Sequence, residues 1–450
     1  MNSEYSTTTW QNSTMNSGSD GSTLVGWTLE SPGRGTLGLL TTCFVTTSIC
    51  TWIVIHPRID DHKKSRIWHK LALWLKTIIA PELIAVEAAQ EHMQAQQVIK
   101  ESAKLIGKQM TLEQAFYVGM FGLRYRTAHG SKVLWPNQFL WLLENNYLRW
   151  EDHAEWGFEH EVIKDKSNSD SFAKLFALLQ VAGFVGQCLI RAVHNLPLAP
   201  LEAMTLGYIP LFAVTYYYWW LKPKDINTPS IIQLEDMRPE VFAEFEALSI
   251  DNTFDSEPNL RSRSLRSIWA LTPRMFEKQF ADKQFRIAQE EYEQKMEDYQ
   301  LQRLSADHAN STSKPMQLPP EPPRRDSEIV LGHWDPQLYH SKLWPIAILV
   351  GISFPALHLI SWGAEFPTMV ESWLWRVAAL TSICGMLIFM QFERVVLHWR
   401  DPLMIVKLLS PMLYLVTRMI MLALALAAFR ASDPRLYQTY VASSYWVQLI

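Results

Sequence analysis

The sequence predicts an all-α polytopic membrane protein, a helical bundle of about six transmembrane spans with cytosolic helical inserts. Apolar residues are concentrated in windows of about 20 residues, the length that crosses a bilayer as a helix. Basic residues cluster in the segments between these windows. The composition, 48% apolar and 19% charged, therefore averages over two different environments. The formal net charge of −4 gives no reason to expect nucleic acid as a partner.

The N-terminal tail, residues 1–36, is rich in Ser, Thr, Asn and Gly and is predicted to be disordered. It lacks a basic segment followed by an apolar core, so it is not a cleavable signal peptide. The first span is 37–55, and the basic segment Arg58–Lys70 follows it directly. The positive-inside rule then places the N-terminus outside the cytosol. On that side Asn12, in an Asn-Ser-Thr sequon, is a glycosylation site.

Residues 56–171 are predicted to form a cytosolic or interfacial helical region. Its segment Trp68–Ala89 is apolar but is interrupted by Lys76, Pro81, Glu82 and Glu87. A helix kinked at Pro81 that lies on or re-enters the membrane buries fewer charges than a span does, and residues 72–89 are compatible with either arrangement. Further on, Thr111 and Gln114 have the spacing of a capping box at a helix N-terminus.

Residues 172–221 are predicted to form a transmembrane hairpin of spans 172–190 and 197–221. The second span ends in YYYWWLKPKD, an aromatic belt followed by lysines, which is typical of a cytosolic boundary. The insert 222–343 is predicted to be cytosolic. It contains a charged helix over Arg274–Leu304 and a Pro-rich linker over residues 305–326 that is expected to tolerate deletion.

The last three spans lie within residues 344–429, at 344–362, 372–392 and 404–429, and an amphipathic tail, residues 430–450, follows. The first two of these spans flank a hinge with the sequence GAEFPTMVE. The charge pattern predicts a multi-pass protein of an endomembrane or the plasma membrane. The four cysteines lie in apolar runs without a CxxC pair, so neither a disulfide framework nor a thiolate metal site is expected.

Several motifs resemble a fungal family of multi-pass integral membrane proteins that has no assigned biochemistry. The most specific is the FPT-x-x-E-x-x-LWR element of residues 366–376, and the IKDKS motif of residues 163–167 and the segment IIAPELIAVEAA of residues 78–89 accompany it. The resemblance implies a membrane bundle but no particular activity. Similar proteins often carry a Glu one or two turns after the position of Arg418. Here that stretch is MIMLALALA, so the span offers no local partner for this arginine.

Acidic residues near the spans are the candidates for catalysis: Glu82, Glu202, Glu365 and Glu371. A desolvated carboxyl group keeps its proton and can act as a general acid. With 19 Trp side chains to stabilise a carbocation, this set would suit a cyclase or isomerase acting on a terpenoid or prenylated substrate. The same carboxylates can also be explained without a catalytic role, as members of structural ion pairs or as residues of a hinge exposed to water.

Two other sets of residues also have both a functional and a structural explanation. Polar residues within the spans, Lys174, Gln180, Gln187, His358, Arg376 and Arg418, could line a transport path, and interhelical hydrogen bonds are the alternative. The acidic and histidine-rich stretch of residues 151–161 has the side chains of a metal site but no HExxH spacing, and a solvated face explains it better. No metal or cofactor is predicted.

A further prediction concerns the contacts of the hinge residues. Arg376 lies one turn inside a span, and an arginine without a partner at such a depth costs about 2.5–3.5 kcal/mol. We therefore expect Glu365, Pro367, Glu371 and Arg376 to form one structural clamp that holds the central hairpin closed, with Arg376 bound to a carboxylate or a hinge carbonyl.

The sequence thus predicts a multi-pass membrane protein of undefined activity, a membrane scaffold or a small-molecule handler. The alternative is a membrane-embedded enzyme acting on a lipophilic metabolite, and a transporter is the third reading. No motif decides whether the protein is an enzyme. The expected partners are the lipid bilayer and a lipophilic small molecule.

Overall fold

The structure is a computed structural model. It describes residues 24–29, 34–59, 63–108, 110–127, 130–167, 171–234, 237–249, 289–301, 303, 319, 329–334, 336–392, 394–397 and 402–439. Both sequons and the Arg274–Ala288 part of the predicted charged helix lie outside these ranges. So do the predicted linker, apart from residue 319, and the last eleven residues of the C-terminal tail.

Helices dominate the described residues. They are α1 (Thr36–Val54), α2 (Lys63–Ile79), α3 (Pro81–Ile106), α4 (Leu112–Gly119), α5 (Pro136–Glu144), α6 (His160–Lys166), α7 (Ser171–Val193), α8 (Pro200–Trp219), α9 (Pro239–Ala247), α10 (residues 289–301), α11 (Pro336–Tyr339), α12 (Trp344–Leu357), α13 (Met369–Met390) and α14 (Met404–Ala427). The capping box is confirmed, since the Thr111 hydroxyl accepts from Gln114 N and the Gln114 side chain accepts from Thr111 N.

Two small sheets accompany the helices, so the all-α prediction was incomplete. One sheet has the order β2-β1-β3, with β1 at Leu123–Thr127, β2 at Gly130–Val133 and β3 at Ser230–Ile232. The β1–β2 pair is antiparallel and β1–β3 is parallel. In the other, β4 (Ile329–His333) pairs antiparallel with β5 (Arg394–Leu397). Each strand has at most five residues, too few for its alternation of polar and apolar residues to stand out in the sequence.

Five helices are long and apolar enough to cross a membrane: Thr36–Val54, Lys174–Val193, Trp344–Ser361, Met369–Met390 and Met404–Arg430. They correspond to five of the six predicted spans. The remaining predicted span, 197–221, does contain a helix, α8, but that helix is not one of these five. The protein is therefore mostly helical with five candidate membrane spans.

These helices direct apolar side chains outward and polar ones inward. On α14, Ile405 is 73% exposed and Met419 is 57% exposed, whereas Thr417 and Arg418 are buried. On α13, Val370 is 74% exposed and Ser382 is buried, with its hydroxyl 2.7 Å from that of Thr417. This arrangement would be unfavourable in water, and it is the expected one for a bundle surrounded by lipid.

A second, aromatic-rich core lies beside the bundle. It is formed by α3 to α5, the three-stranded sheet and α9, and it contains Phe116, Tyr117, Phe139, Phe158 and Phe245, each at most 2% exposed. Gln138 of α5 donates to the carbonyl of Phe245 in α9, and Asn137 donates to that of Leu248 directly after α9. The first part of the predicted insert is therefore folded against residues 56–171 and shares one core with them.

The described segments of the N-terminal and C-terminal tails lie against each other. Within the predicted disordered tail, Val25 forms a β-bridge with Ser432, and Arg34 donates to the carbonyl of Leu436 at 2.9 Å. The Arg191 guanidinium donates to four carbonyls, those of Pro197, Arg435, Leu436 and Gln438. The described parts of both tails are thus held by arginine hydrogen bonds.

Candidate functional site

The segment that organises the site is a break between α2 and α3. Pro81 starts α3, and Ala80 before it has non-helical dihedral angles, φ −141° and ψ 69°. A proline supplies no backbone N–H, and the last carbonyls of a helix have no partner within it. The carbonyls of Ile78 and Ile79 at the end of α2 therefore need donors from elsewhere, and in a bilayer water does not provide them.

Those donors come from two spatially adjacent helices. The Tyr208 hydroxyl of α8 donates to the carbonyl of Ile78, and Arg418 of α14 donates through Nε to that of Ile79 at 3.2 Å. The arginine thus lies at the C-terminal end of α2, which carries partial negative charge. The break at Pro81 thereby provides a carbonyl acceptor for the buried Arg418.

Arg418 has two further contacts. Its Nη1 donates to His358 Nε2 at 3.0 Å, and its guanidinium lies 3.8 Å from the ring centre of Phe354. Because His358 Nε2 accepts this hydrogen bond, Nδ1 carries the proton and donates to the carbonyl of Phe354 at 2.6 Å. The arrangement therefore specifies a neutral histidine with one defined tautomer.

Glu82 completes the group. It is the second residue of α3, its side chain accepts from the Tyr414 hydroxyl through Oε1, and it lies within electrostatic range of Arg418. Its Oε2 is buried and makes no hydrogen bond to the described residues. The sequence offers no acidic residue near Arg418 within α14, and the fold brings the Glu82 carboxyl group, more than 300 residues away, into electrostatic range.

We call Glu82, Tyr208, His358, Tyr414 and Arg418 the polar centre. Each is at most 5% exposed. A small, partly open crevice lies beside it between α3, α13 and α14. Its lining consists of Leu83, Met386, Phe389, Pro411 and Tyr414. Tyr414 therefore contacts both the polar centre, through its hydroxyl, and an apolar space.

The structure separates the other acidic candidates from this centre. Glu202 accepts from Arg34 through both carboxylate oxygens at 2.7 Å and from the backbone N of Ala199 at 2.9 Å, so it caps α8 and joins it to the N-terminal segment. Glu371 pairs with Arg430. Glu365 is half-buried and forms no hydrogen bond to the residues described. Of the four candidates only Glu82 lies in a closed polar cluster.

The hinge residues have the following partners. Arg376 donates through Nε to the carbonyl of Trp362 at 3.0 Å, and its guanidinium lies 5.5 Å from the Trp362 ring and 5.3 Å from the Trp373 ring. Thr368 is the N-cap of α13, and its hydroxyl accepts from Glu371 N. Arg376 thus joins the start of α13 to the end of the preceding helix through a carbonyl.

Replacing Arg376 with Ala should lower the yield of folded protein in detergent, because the Trp362 carbonyl loses its donor and the stacked indoles lose the cation. Arg376→Lys should restore only part of the yield, since lysine lacks the planar fork. Gel-filtration yield and thermal midpoint measure this, with the exposed Arg435→Ala as control. An unchanged thermal midpoint in Arg376→Ala would exclude the clamp.

The polar residues predicted within spans do not share one path. Gln180 of α7 donates to Thr46 of α1 at 3.1 Å, while His358 and Arg418 belong to the polar centre. Lys174 lies 4.9 Å from the Trp220 ring at the other end of the bundle. In the 151–161 stretch, His153 stacks on Trp150 and His160 pairs with Glu113. Among the residues described, no group of three His, Cys, Asp or Glu side chains could hold a metal ion.

A second buried charged group follows α8. We call Lys222, Lys224 and Asp225 with their contacts the basic junction. Lys222 pairs with Glu91 of α3, Lys224 donates to the carbonyl of Ile53 near the end of α1 at 2.9 Å, and Asp225 binds Lys70 of α2. Three charged residues within four positions thus connect α8 to three other helices. From the sequence, the KPKD segment is predicted only to mark a membrane boundary.

Two buried histidines border this junction. His56 and His69 are 2% and 8% exposed. Burial, followed by the nearby lysines for His56 and by Arg58 and then lysines for His69, lowers the pKa of each well below its ordinary value. Both rings are therefore neutral in the folded protein at pH 7 but take up protons after unfolding.

The free energy of unfolding should therefore decrease as the pH decreases. The loss begins as pH decreases through about 6.5, the pKa of a histidine in the unfolded chain, and continues until the lower folded-state pKa is reached. Thermal midpoints at pH 7.5, 6.5 and 5.5 measure it. His56→Gln with His69→Gln should flatten the profile, whereas exposed His340→Gln should not. If the thermal midpoint of the double variant depended on pH in the same way as that of wild type, His56 and His69 would not be the cause of the loss.

A model of a family of unknown function (DUF8562) matches residues 8–116 and 157–267. No curated protein and no solved structure matches the chain. The two matched blocks contain Glu82 and Tyr208 of the polar centre and the whole basic junction. His358, Tyr414 and Arg418 lie outside them.

Proposed function

We propose that this is a multi-pass integral membrane protein that binds a lipophilic small molecule in the crevice beside Tyr414 and transfers protons to it. One observation carries the proposal: the Tyr414 hydroxyl is hydrogen-bonded to the buried Glu82 carboxyl group, and the same side chain lines an apolar crevice. Ionisable residues within membrane bundles are costly, and they are commonly functional.

The lining of the crevice supports an apolar ligand. Leu83, Met386, Phe389 and Pro411 offer no charged or hydrogen-bonding side chain, so the bound portion must be apolar. The crevice is small and partly open, so it would contact only a segment of a ligand. An isoprenoid or other branched hydrocarbon segment has these properties, with the rest of the molecule in the surrounding lipid.

The chemistry would be isomerisation or cyclisation initiated by an acid. In the first step the Tyr414 hydroxyl gives its proton to a carbon–carbon double bond or an oxygen of the substrate, and Glu82 returns a proton to Tyr414. In the last step the substrate loses a proton to the same pair, so the protein ends unchanged. Arg418 stabilises the Glu82 carboxylate that exists between the two steps, and no external oxidant or reductant is required.

The test is a complementation experiment with lipid-soluble metabolites as the readout. A strain of the source organism that lacks the chain is complemented with wild type, Glu82→Gln, Tyr414→Phe or Glu371→Gln. Glu82→Gln and Tyr414→Phe should retain folded protein and lose the metabolite difference, whereas Glu371→Gln, which alters an exposed pair, should behave as wild type. Full activity in Glu82→Gln would exclude the proposal.

A scaffold is the second candidate, and one observation favours it. With the exception of Glu82 Oε2, the named hydrogen-bonding groups of the polar centre have protein partners, so the cluster also serves to join α2, α8, α12 and α14. Under this reading Glu82→Gln and Tyr414→Phe would lower the thermal midpoint and leave metabolites unchanged. The same four strains distinguish the two candidates.

The proposal also includes the orientation of the chain in the membrane. The basic residues after α1 support an N-terminus outside the cytosol. Asn12 should then be glycosylated in a eukaryotic membrane, and its loss in Asn12→Gln should remove a shift in gel mobility. A cytosolic N-terminus, detected by a protease-protection assay, would reverse the topology without affecting the assignment of the polar centre.

A further inference from the structure

A serine hydroxyl lies within hydrogen-bond distance of three other groups beside the aromatic-rich core. Ser230 is the first residue of β3, Tyr117 belongs to α4, and Lys166 is the last residue of α6. Lys166 Nζ donates to Ser230 Oγ at 3.1 Å, and the Tyr117 hydroxyl lies 3.1 Å from the same oxygen. Ser230 Oγ in turn donates to the carbonyl of Gly157 at 3.2 Å. We call these four residues the serine site, and none of them belongs to a candidate membrane span.

The IKDKS motif of residues 163–167 positions the lysine of this site. Ile163 is fully buried and anchors α6 in the aromatic-rich core. The Ser167 hydroxyl accepts from the backbone N of Lys224 at 2.9 Å, so the chain is held on both sides of Lys166. A group that acts on a neighbouring atom needs support of this kind. The motif therefore has a role in the fold that its sequence alone does not reveal.

Residue 157 is a glycine, and this leaves space beside the serine and the lysine. The backbone φ of Gly157 is +64°, a conformation that glycine adopts readily. A Cβ atom here would lie 3.4 Å from Ser230 Oγ and 3.5 Å from Lys166 Nζ, in van der Waals contact with both. Gly157 and Lys166 are half-buried, and Ser230 is 5% exposed. A reactant that approaches the hydroxyl through this space must therefore be small.

We propose that Ser230 is a nucleophile, that Lys166 is its general base, and that the serine site hydrolyses esters or thioesters of short acyl groups. A serine hydroxyl is a weak nucleophile until a neighbouring base removes its proton, and a serine paired with a lysine is a known form of this arrangement. Burial lowers the pKa of Lys166, which favours the neutral amine that a base requires. This activity is independent of the polar centre.

The reaction needs only the substrate and water. The neutral Lys166 amine takes the proton of the Ser230 hydroxyl while Oγ forms a bond to the carbonyl carbon of the substrate. The bond to the alcohol or thiol then breaks, and the leaving group takes that proton from Lys166. Water attacks the acyl-serine, its proton passes through Lys166 to Ser230 Oγ, and a carboxylic acid leaves. Tyr117, hydrogen-bonded to Oγ, stabilises this oxygen as it loses its proton.

The experiment uses the full chain in detergent with two small probes. p-Nitrophenyl acetate measures hydrolysis, and methanesulfonyl fluoride forms a stable sulfonate ester with an activated serine while fluoride leaves. The folded chain should hydrolyse the ester faster than the denatured chain does. Sulfonylation should map to Ser230 by peptide mass spectrometry and should abolish hydrolysis in parallel. Hydrolysis no faster than that of the denatured chain would overturn the proposal.

Variants separate the base from the structural lysine. Lys166→Arg keeps a positive charge and a donor for Ser230, but arginine stays protonated and cannot act as a base. It should keep the thermal midpoint near that of wild type and lower the hydrolysis rate by about 100-fold or more, the usual contribution of a general base. Ser230→Ala should remove both hydrolysis and sulfonylation. The matched control is Lys164→Arg, which changes an exposed lysine of the same helix and should keep the full rate.

The remaining outcomes are decisive as well. A full hydrolysis rate in Lys166→Arg would show that the lysine only holds β3 against α6, and the proposal would be wrong. Sulfonylation of Tyr117 or Lys166 with none on Ser230 would exclude the serine as the nucleophile. If the variants do not fold, wild type alone decides, because sulfonylation of Ser230 with loss of hydrolysis supports the proposal and an unmodified Ser230 rejects it.

Discussion

Replacing Lys222 with Met should lower the free energy of unfolding by about 3–5 kcal/mol, the usual cost of removing one partner of a buried ion pair. The side chains of Lys222 and Glu91 are 2% and 8% exposed. Burial already raises the pKa of Glu91, and Lys222 opposes that effect. Without the lysine the carboxyl group must stay buried as an unpaired charge or take up a proton.

This cost should depend on pH in a defined direction. In Lys222→Met the pKa of Glu91 in the folded state rises further above its value in the unfolded chain, so the folded state binds the extra proton. The variant should therefore lose more stability at pH 8 than at pH 6 relative to wild type. Denaturant unfolding in detergent at the two pH values measures it.

The double variant Lys222→Met with Glu91→Met separates the contribution of the ion pair to stability from that of side-chain packing. Buried pairs replaced by apolar residues of similar volume are often neutral or stabilising, so the double variant should recover most of the loss. The exposed pair Lys104–Glu101 supplies the control, and Lys104→Met should change stability by less than about 1 kcal/mol. A double variant as unstable as the single one would show that Lys222 acts through other contacts, such as its 4.1 Å approach to the Trp219 ring.

Arg418→Met should be the most damaging substitution in the membrane bundle, with an expected loss of about 3–5 kcal/mol. It removes the donor to the Ile79 carbonyl and to His358, and it leaves Glu82 without a nearby positive charge. The matched control is Arg430→Met, which breaks the partly exposed pair with Glu371 and should cost no more than about 1 kcal/mol.

The second substitution in this test is Glu82→Gln. If the carboxylate is the main destabilising group once the arginine is absent, Arg418→Met with Glu82→Gln should be more stable than Arg418→Met alone. Thermal midpoints in lipid nanodiscs compare wild type with Arg418→Met, Arg430→Met and the double variant. Equal losses in Arg418→Met and Arg430→Met would show that the polar centre contributes nothing beyond an exposed ion pair.

The sequence alone predicted most of the helices, including the five that are long and apolar enough to cross a membrane. Apolar windows of about 20 residues are a local property, because each one independently matches the thickness of the hydrocarbon region. The interruption at Pro81 and the capping box at Thr111 are local too, since they depend on residues no more than four positions apart. The short strands were missed because five residues carry too little periodicity.

Only the tertiary structure decided which charges meet. Glu82, Glu202, Glu365 and Glu371 are alike in sequence, as acidic residues near apolar runs. The fold gives the first a tyrosine, the second an arginine from the N-terminal segment and the last an arginine that follows α14. Arg418 finds its carbonyl acceptor, that of Ile79, on a helix distant in sequence, and Glu82 of α3 lies within its electrostatic range. In lipid each buried charge must find a partner inside the protein, and which partner it finds depends on how the helices pack, which local pattern does not encode.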